Sequence, residues 1–455
     1  MPIPSRCSLL LLAALLGACG ARGGGDAEFP PGAKRWYERG VQSYRAGDLD
    51  DAEVAVENAL RAAGNHQDVK LLAARVSLAR LDYDRTRELL HGVPGNDARG
   101  LRGRALWYKG DVQGAADELE SLLADPDVRD GWAREIVKLA RRGAGRKPFE
   151  MSGGLLAVTE MVRAGTASLI VPVELNGDPA LALIATGTAE AVVDASKGAE
   201  PSWVSLRFGE RVEVRDVPAL AKDLSGVSKQ VNAPIKILLG VNLLRHLRPT
   251  IDFAGSQFVV RTFEPPPPPL ATTLKLAYVR GGGMLVRGAF GQGEGAAPAS
   301  LLVDTALTFP MALDGAGFKK AGVDLAKLQP VPNVSPPMNA GVLPSLRLGA
   351  FDVPRVPGVH SDASVKERED GLGIELDGLI GSGLLATFRM TLVDGGRSMW
   401  LEDIPAEALV PPKVRLEDLG DVGELPDEDF AEEEEEEPPA KKKGVPKAPP
   451  KGKKP

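Results

Sequence analysis

An acidic tripeptide at the end of an apolar run is the part of this chain best suited to chemistry. The run Leu-Leu-Val leads directly into Asp304, Thr305 and Ala306, and a polar Thr308 follows. A carboxylate in this position can hold and polarise a water molecule. Two such carboxylates held close together share a proton, so that one acts as a base while the other acts as an acid. Asp304 would supply one member of that pair.

A second copy of the motif lies earlier in the chain and lacks the acid. The run Leu-Ala-Leu-Ile leads into Ala185, Thr186 and Gly187, so a methyl group stands where the other copy has a carboxylate. Each copy is followed downstream by two apolar residues and a glycine. These segments are Leu238-Leu239-Gly240 for the earlier copy and Leu379-Ile380-Gly381 for the later one. The same short pattern therefore occurs twice in the chain, once with the acid and once without it.

This layout resembles the aspartic proteases of the pepsin and retropepsin type, in which two β-lobes each supply an Asp-Thr-Gly or Asp-Thr-Ala loop. The resemblance implies that Asp304 holds the catalytic water, that the Thr305 hydroxyl braces its loop against the twin loop, and that Ala306 permits a tight turn. Thr186 and Gly187 match the corresponding positions of the twin loop.

The departure from the family pattern at Ala185 bears on catalysis. It removes the group that would polarise the substrate carbonyl, and general acid–base catalysis contributes about 10²–10⁴-fold. Peptide hydrolysis within one chain is therefore not expected. A homodimer could bring Asp304 of two molecules together, or Glu190 or Asp194 could move in beside Ala185, although no spacing supports the latter. Alternatively, Asp304 belongs to an unrelated β-domain, since the tripeptide alone carries little information.

Short strands punctuated by glycine and proline begin at Met151 and predict an all-β region. We expect a first lobe over residues 151–262, a proline-rich linker over 263–271, and a second lobe over 272–404. Gly281-Gly282-Gly283 fits a turn better than a flap over the site. Both lobes contain a near-identical phrase and end in a similar strand. The matched segments are Ser205-Leu206-Arg207-Phe208-Gly209 with Ser345-Leu346-Arg347-Leu348-Gly349, and Pro249-Thr250-Ile251-Asp252-Phe253 with Met390-Thr391-Leu392-Val393-Asp394.

Residues 33–146 have apolar positions at helical spacing and a repeat near 34 residues. A short turn recurs at Asp48, Asp82 and Asp111, and each aspartate is predicted to cap the helix that follows it. The residues four positions later are small or threonine: Ala52, Thr86 and Ala115. The pattern resembles tetratricopeptide repeats, which implies a concave surface that binds a peptide or a partner protein. Alternatively, these helices only pack on the following domain.

The N-terminus has the organisation of a bacterial secretory signal. Arg6 precedes a short apolar stretch, and small residues then lead to Cys19. The pattern over residues 1–18 resembles a lipoprotein signal, which implies that Cys19 is lipidated and that residues 19–32 tether the body to the membrane. Gly20 after the cysteine favours the outer membrane, facing the periplasm or the cell surface. A plain cleaved signal or a buried helix is the alternative.

Charge and composition limit the other classes of function. The net charge of −7 argues against a nucleic-acid partner. Residues 414–455 pass from an acidic run to a Lys/Pro-rich run and are predicted to be disordered, although the lysines could contact anionic lipid or cell-wall polymer. We expect surface or capping histidines, no metal site and no cofactor, because the histidines lack metal-ligand spacing. They are His66, His91, His246 and His360.

The sequence thus predicts a multidomain, lipid-anchored protein of the cell envelope. It combines a tetratricopeptide-like helical array, an all-β bilobal aspartic-protease-like domain and a charged tail. The function that we expect is peptide or protein binding by a domain that has lost its acid pair. An active aspartic endopeptidase that uses Asp304, most plausibly as a homodimer, is the alternative from the enzyme class. A structural assembly scaffold that uses the helical repeats alone is the third hypothesis.

Overall fold

The computed structural model describes residues 29–164, 167–332 and 337–403. The predictions for the signal, for Cys19 and for the tail over 414–455 lie outside the described residues, as does most of the predicted tether. No helix in these three ranges is long and apolar enough to cross a membrane. The described chain is helical first and β-rich afterwards, which confirms the predicted order of a helical array and a bilobal β domain.

The helical array consists of seven helices in the described part of the chain. They are α1 Pro31–Arg45, α2 Leu49–Ala63, α3 Gln67–Ala79, α4 Tyr83–Leu89, α5 Asn96–Lys109, α6 Val112–Leu123 and α7 Gly131–Arg142. Short turns join α1 to α2, α3 to α4, and α5 to α6, and each pair packs together. Short connections between packed helices place them antiparallel, so each pair forms one repeat unit.

The predicted aspartate caps explain where the second helix of each unit begins. Asp48, Asp82 and Asp111 accept hydrogen bonds from the backbone N–H three residues later, at 3.1, 3.1 and 2.9 Å. Each carboxylate satisfies an N–H that has no partner inside the helix. The residues four positions later are fully buried, namely Ala52, Thr86 and Ala115. Their small size lets the two helices of a unit approach closely.

The first lobe is built from ten short strands and two helices. The strands are β1 Glu150–Gly153, β2 Leu156–Glu160, β3 Ile170–Leu175, β4 Asp178–Ile184, β5 Ala191–Asp194, β6 Ser202–Phe208, β7 Val212–Lys222, β8 Ile235–Leu239, β9 Thr250–Asp252 and β10 Gln257–Arg261. The helices are α8 Ser225–Val231 and α9 Val241–Leu247. Buried side chains alternate with more exposed ones along β2 and β6, whereas β4 and β8 are buried along most of their length and lie inside the sheet.

The second lobe has a similar order of elements with additional ones inserted. Its strands are β11 Thr272–Val279, β12 Gly283–Phe290, β13 Ala297–Asp304, β14 Met311–Leu313, β15 Gln329–Pro330, β16 Asn339–Leu348, β17 Phe351–His360, β18 Gly378–Gly381, β19 Phe388–Val393 and β20 Ser398–Asp403. Its helices are α10 Gly315–Lys320, α11 Asp362–Leu372 and α12 Ser382–Leu385. Gly281 and Gly282 form the turn between β11 and β12, as predicted.

The same strand topology in both lobes confirms the duplication. In the first lobe β8 lies between β4, to which it is parallel, and β5, to which it is antiparallel. In the second lobe β18 lies between β13 and β14 in the same way. The near-identical phrases end β6 and β16 and lead into tight turns at Gly209 and Gly349, where φ is +53° and +59°. Glycine adopts such angles without strain.

A shared sheet joins the two lobes. The second-to-last strands of the two lobes, β9 and β19, pair antiparallel, so that Thr250 lies opposite Thr391 and their hydroxyls are 2.8 Å apart. Strands β2 and β10 of the first lobe continue this sheet, and β11 and β20 of the second lobe continue it on the other side. The matched strands recognised in the sequence therefore face each other across the junction of the lobes.

The helical array packs directly on both lobes. The Arg245 guanidinium of α9 donates to the Tyr83 hydroxyl and, at 3.2 Å, to the Tyr108 carbonyl. The Trp203 indole N–H of β6 donates to the Leu139 carbonyl of α7 at 2.8 Å. These bonds connect buried polar groups of the two parts, and leaving either side unpaired would cost about 1–3 kcal/mol. The array is therefore held against the site-bearing lobes.

The expectation of surface or capping histidines is wrong for His246. Its imidazole stacks on Phe149 at a centroid distance of 4.4 Å, and its Nε2 atom is buried. His66 does cap α3, since its Nδ1 accepts from the Asp68 N–H at 3.3 Å. The sequence around His246 carries no sign of this burial, because the stacking partner lies nearly 100 residues away, where the chain enters the first lobe.

The buried histidine predicts a pH dependence of stability. Burial, together with nearby Arg245 and Arg248, lowers the pKa of His246 from 6.5 to about 3. As the pH falls, the unfolded chain binds this proton first, so the free energy of unfolding decreases between pH 6.5 and about 3. His246→Phe, which keeps the stacking, should make this decrease shallower in urea unfolding at several pH values. Exposed His91→Phe is the control, and equal slopes for both variants would contradict the prediction.

Candidate functional site

Two loops in corresponding positions meet at the centre of the β region. One follows β4 and begins with Ala185, whose N–H donates to the Leu239 carbonyl of β8 at 3.1 Å. The other follows β13, whose last residue, Asp304, lies opposite Gly381 of β18. Each loop thus starts beside the apolar-apolar-Gly strand of its own lobe. Ala185 and Asp304 therefore occupy equivalent places in the two lobes.

Two threonines lock these loops together. The Thr186 hydroxyl donates to the Val303 carbonyl at 2.8 Å and accepts from the Thr305 N–H at 3.1 Å. The Thr305 hydroxyl donates to the Ile184 carbonyl at 2.6 Å and accepts from the Thr186 N–H at 3.0 Å. Both side chains are buried. Because each hydroxyl uses its donor and an acceptor across the junction, the network sets the relative position of the two loops.

The Asp304 carboxylate lies buried beneath the loop of the first lobe. Its Oδ1 atom accepts from the Ala306 N–H at 3.1 Å, which closes the tight turn that the motif predicts. A Cβ atom on Gly187 would stand 2.6 Å from the Asp304 carboxylate, closer than any real contact. Gly187 is thus required by the close approach of its backbone to the acid.

An arginine, rather than a second acid, contacts Asp304. The Arg368 Nη2 atom of α11 donates to Asp304 Oδ2 at 2.6 Å. The Asp304 side chain is 5% exposed and that of Arg368 is 36% exposed. The guanidinium gives this carboxylate an opposite charge and a charge-assisted hydrogen bond. Sequence reasoning missed Arg368, because it lies 64 residues after Asp304 and belongs to no motif.

Ala185 leaves an apolar contact where the pair would need an acid. Its side chain is buried, at 1% exposure, within the apolar cluster of the first lobe that includes Leu183 and Leu238. The site therefore has one carboxylate, already paired with a guanidinium, and a methyl group in the equivalent place. Such an arrangement can bind through its charges and backbone, but it lacks the acid–base pair that activates water.

The two acids considered as substitutes have other partners. Glu190 lines the space above the loops, but Trp132 of α7 donates to its Oε1 at 3.2 Å and Asn242 donates to its Oε2 at 3.0 Å. Burial disfavours the charged form of Asp194, yet hydrogen bonds outweigh burial and lower its pKa, among them one from the Leu224 N–H. Both acids are held by these bonds, so neither is positioned to replace the missing carboxylate.

A cavity of about 790 Å³ lies beside the loop of the first lobe, which lines it with Gly187 and Thr188. Gly187 and Glu190 form its floor on the side of the first lobe, and α11 with Arg368 forms its wall on the side of the second. The helical array supplies the roof through Tyr108 and Trp132. Burial raises the pKa of Tyr108 well above its ordinary value, so this phenol stays neutral. The candidate site is therefore a cleft between lobes that helices cover.

The donor groups of the described residues bear on metal binding. Within residues 29–164, 167–332 and 337–403, no three His, Cys, Asp or Glu side chains stand close enough together to hold a metal ion. Asp304 has a guanidinium beside it instead of further oxygen or nitrogen acceptors. The residues at the cleft thus do not form a ligand set.

Parts of this chain are similar in fold to known protein structures. No protein-family model and no curated protein matches this chain. A retropepsin-like aspartic protease from Rickettsia conorii is 17% identical over 29% of this chain and 90% of its own, with a TM-score of 0.23. The TPR domain of Arabidopsis OM64 is 16% identical over 24% of this chain and 94% of its own, with a TM-score of 0.23. An aspartic proteinase from Irpex lacteus is 11% identical over 55% of this chain and 97% of its own, with a TM-score of 0.33.

Removing one threonine hydroxyl should weaken the junction of the lobes. Thr305→Val keeps the side-chain shape but leaves the Thr186 N–H and the Ile184 carbonyl unpaired in a buried place. We predict a loss of roughly 2–4 kcal/mol in the free energy of unfolding, measured by urea titration. Thr308→Val is the control, because the half-buried Thr308 hydroxyl makes no hydrogen bond in the described chain. Equal effects of the two variants would show that the network does not join the lobes.

Proposed function

We propose that this protein binds peptide segments in the cleft between its two lobes without cleaving them. The observation that carries the proposal is the ion pair between Asp304 and Arg368, with Ala185 in the equivalent place of the other loop. The cleft keeps the cavity and backbone that could receive an extended chain. What it lacks is the proton-sharing pair of acids. Binding without hydrolysis is the activity that this combination of residues supports.

The charge balance at Asp304 explains why hydrolysis is not expected. A catalytic pair needs one ionised and one protonated carboxyl group, and their mutual repulsion keeps the second proton bound. Here the Asp304 carboxylate is attracted to the Arg368 guanidinium instead of being repelled by a second carboxylate. This contact also fixes the orientation of the carboxylate. A water molecule near Asp304 would have no acid on the opposite side of a substrate carbonyl.

The same contacts oppose a peptidase formed by two molecules. A homodimer through Asp304 would require two second lobes to meet at the face that carries Thr305. In the single chain that face is already occupied by the first lobe, through the four hydrogen bonds of Thr186 and Thr305. The partner on the same chain has a much higher effective concentration than a second molecule. We therefore favour a binding site formed within one chain.

We further propose that the protein acts at the bacterial cell envelope, held by a lipid on Cys19. The support is the sequence pattern alone: a charged start, a short apolar stretch, and small residues before the cysteine. A single acyl chain gives only marginal binding to a membrane, so stable attachment through Cys19 requires more than one acyl chain. We propose in addition that the anchored protein faces the periplasm or the cell surface.

Peptide binding and cleavage are best measured together in one sample. The full chain, with its signal removed, is incubated with casein peptides from about pH 3 to 7, and mass spectrometry reads both retained and cut peptides. We expect retention without cuts. Ala185→Asp combined with Arg368→Gln should introduce cleavage, because two carboxylates then face each other without a guanidinium. Adding Asp304→Asn to that double variant should abolish the cleavage again.

Two results would overturn the proposal. The first is cleavage by the unchanged chain that disappears in Asp304→Asn, and a rate that rises with the square of protein concentration would then indicate a homodimeric peptidase. The second is a folded chain that retains no peptide at any pH. Circular dichroism on the same samples separates that result from unfolding.

Lipid attachment has a matched pair of variants. Cys19→Ser should abolish incorporation of a labelled fatty acid in bacterial cells and should release the protein from the membrane fraction. Cys7→Ser should leave both unchanged, because Cys7 lies within the predicted signal. Labelling that survives in Cys19→Ser would contradict the prediction, as would an unlabelled wild-type chain.

A further inference from the structure

Three cavities follow one another along the inner side of the helical array. The first, of about 390 Å³, lies between α1 and α3. The second, of about 410 Å³, lies between α3 and α5 and reaches the loop before α7. The third is the cleft cavity of about 790 Å³ above Gly187. The second lobe contributes to the wall of all three, through Gly373 at the array end and through Leu372 and Arg280 further along.

Neighbouring cavities share wall residues, so they form one path. Tyr44 and Arg75 border both the first and the second cavity. Arg104, Asp130 and Arg280 border both the second cavity and the cleft. We call this path, from α1 to the space above Asp304, the channel. The cleft therefore adjoins the cavities that line the groove of the array.

Most of the charges along the channel are already compensated. Arg75 pairs with Asp97 at 2.7 Å, and Arg104 pairs with Asp130 at 3.2 Å. The Arg104 guanidinium also stacks over the Trp132 ring at 3.8 Å. A guanidinium that is paired with a carboxylate or stacked on a ring keeps a fixed position. It lines the cavity without adding an uncompensated charge. The array end of the channel is thus close to neutral.

The cleft end of the channel has an excess of uncompensated positive charge. Arg129, Lys222 and Arg280 line the cleft, are exposed, and make no ion pair among the described residues. Glu367 is the one exposed carboxylate in the same lining, while Glu190 is buried on neutral donors. Among the described residues, three cations without an ion-pair partner therefore stand against two such carboxylates, Glu367 and the buried Glu190, in a chain whose net charge is −7. This sign difference favours an anionic ligand at the cleft end.

We infer that the channel binds one extended peptide, with a carboxylate at the cleft end and its body in the groove of the array. The inference rests on the proposed function and names its ligand class: a peptide that ends in, or carries near its end, an acidic group. The carboxylate lies among Arg129, Lys222 and Arg280, above the Asp304–Arg368 pair. The neutral, partly apolar groove beside Tyr44 accepts the remaining residues.

The geometry of helix packing gives the length of the ligand. Packed helices lie about 8–10 Å apart, so crossing from α1 through α3 to α5 covers roughly 20 Å, and the cleft adds about 10 Å. An extended peptide advances about 3.3 Å per residue, so about nine residues fill the channel. A peptide of about four residues fills only the cleft end.

Peptide pools that differ in charge and length test the inference. The immobilised full chain, without its signal, is offered randomised peptides of about nine residues that end in Glu with a free carboxylate. A second pool ends in amidated Gln, and a third contains peptides of about four residues that end in Glu. Mass spectrometry measures the retained fraction. We expect the long acidic pool to be retained about tenfold more than either other pool, which corresponds to about 1.4 kcal/mol.

Variants test which residues cause the preference for acidic peptides and which cause the preference for long peptides. Arg129→Gln with Lys222→Gln should remove the preference for acidic peptides, whereas Lys34→Gln with Arg35→Gln, outside the channel, should leave it unchanged. Gly100 of α5 lines the groove, and a Cβ there has room beside Leu122 at 3.7 Å. Gly100→Phe should remove the advantage of long peptides and leave short acidic ones unaffected. Gly100→Ala is its control.

Each outcome decides between the inference and its alternatives. Equal retention of the acidic and amidated pools would overturn the carboxylate site while leaving peptide binding intact. Equal retention of long and short acidic peptides would overturn the continuous channel. No retention of any pool would overturn the proposed function itself. A carbodiimide cross-link between Lys222 and Glu432–Glu437 would place the chain's own acidic run in the channel and overturn the free-peptide ligand.

Discussion

The reciprocal hydrogen bonding of Thr186 and Thr305 is the constraint on which the rest of the site depends. Each hydroxyl crosses from one lobe to a backbone carbonyl of the other and accepts a backbone N–H in return. Inside a buried junction no water can replace a lost partner, so the two loops have one relative position. That position presses the Gly187 backbone against the Asp304 carboxylate. In the same arrangement, Ala185 occupies the place in the first-lobe loop that Asp304 occupies in the second-lobe loop.

A buried carboxylate without its acid partner still requires a compensating group. Removing a charge from water costs several kcal/mol unless hydrogen bonds and an opposite charge replace the solvent. Asp304 receives one bond from the Ala306 N–H, and Arg368 supplies the charge. The acid therefore remains as the fixed partner of an arginine that faces the cleft. A guanidinium has five N–H donors, so Arg368 keeps donors that its bond to Asp304 does not use.

Features that depend on neighbouring residues were predictable from the sequence. The caps at Asp48, Asp82 and Asp111 are local, since a side chain and the N–H it binds lie three residues apart. The lobes were recognisable because duplication leaves the same local phrases twice, and the loop motif carries its own backbone requirements. The ranges proposed for the individual domains remain predictions, because strands of both lobes enter one common sheet.

Contacts across long stretches of chain were not predictable. Arg368 reaches Asp304 from a helix whose sequence is an ordinary charged surface pattern, and no spacing rule connects the two. Trp132 and Glu190 are 58 residues apart, in different domains, and either alone would be read as an exposed residue of its own segment. His246 was assigned to the surface for the same reason. Periodicity identifies which face of an element is apolar, but it does not identify the element that will cover that face.

The position of the helical array changes what the cleft can receive. In an open two-lobed cleft, a ligand enters from solvent along its whole length. Here Tyr108 and Trp132 form a roof, and Arg245 holds the array against the first lobe through Tyr83 and the Tyr108 backbone. A chain segment that reaches the space above Asp304 therefore passes along helices as well as strands. In the peptide binding that we propose, the array and the lobes would contact the same segment, so their contributions to the binding free energy would combine. A helical array that bound only a separate partner would need no such contact with the cleft. A receptor that binds one extended peptide along both the array and the lobes does need this contact.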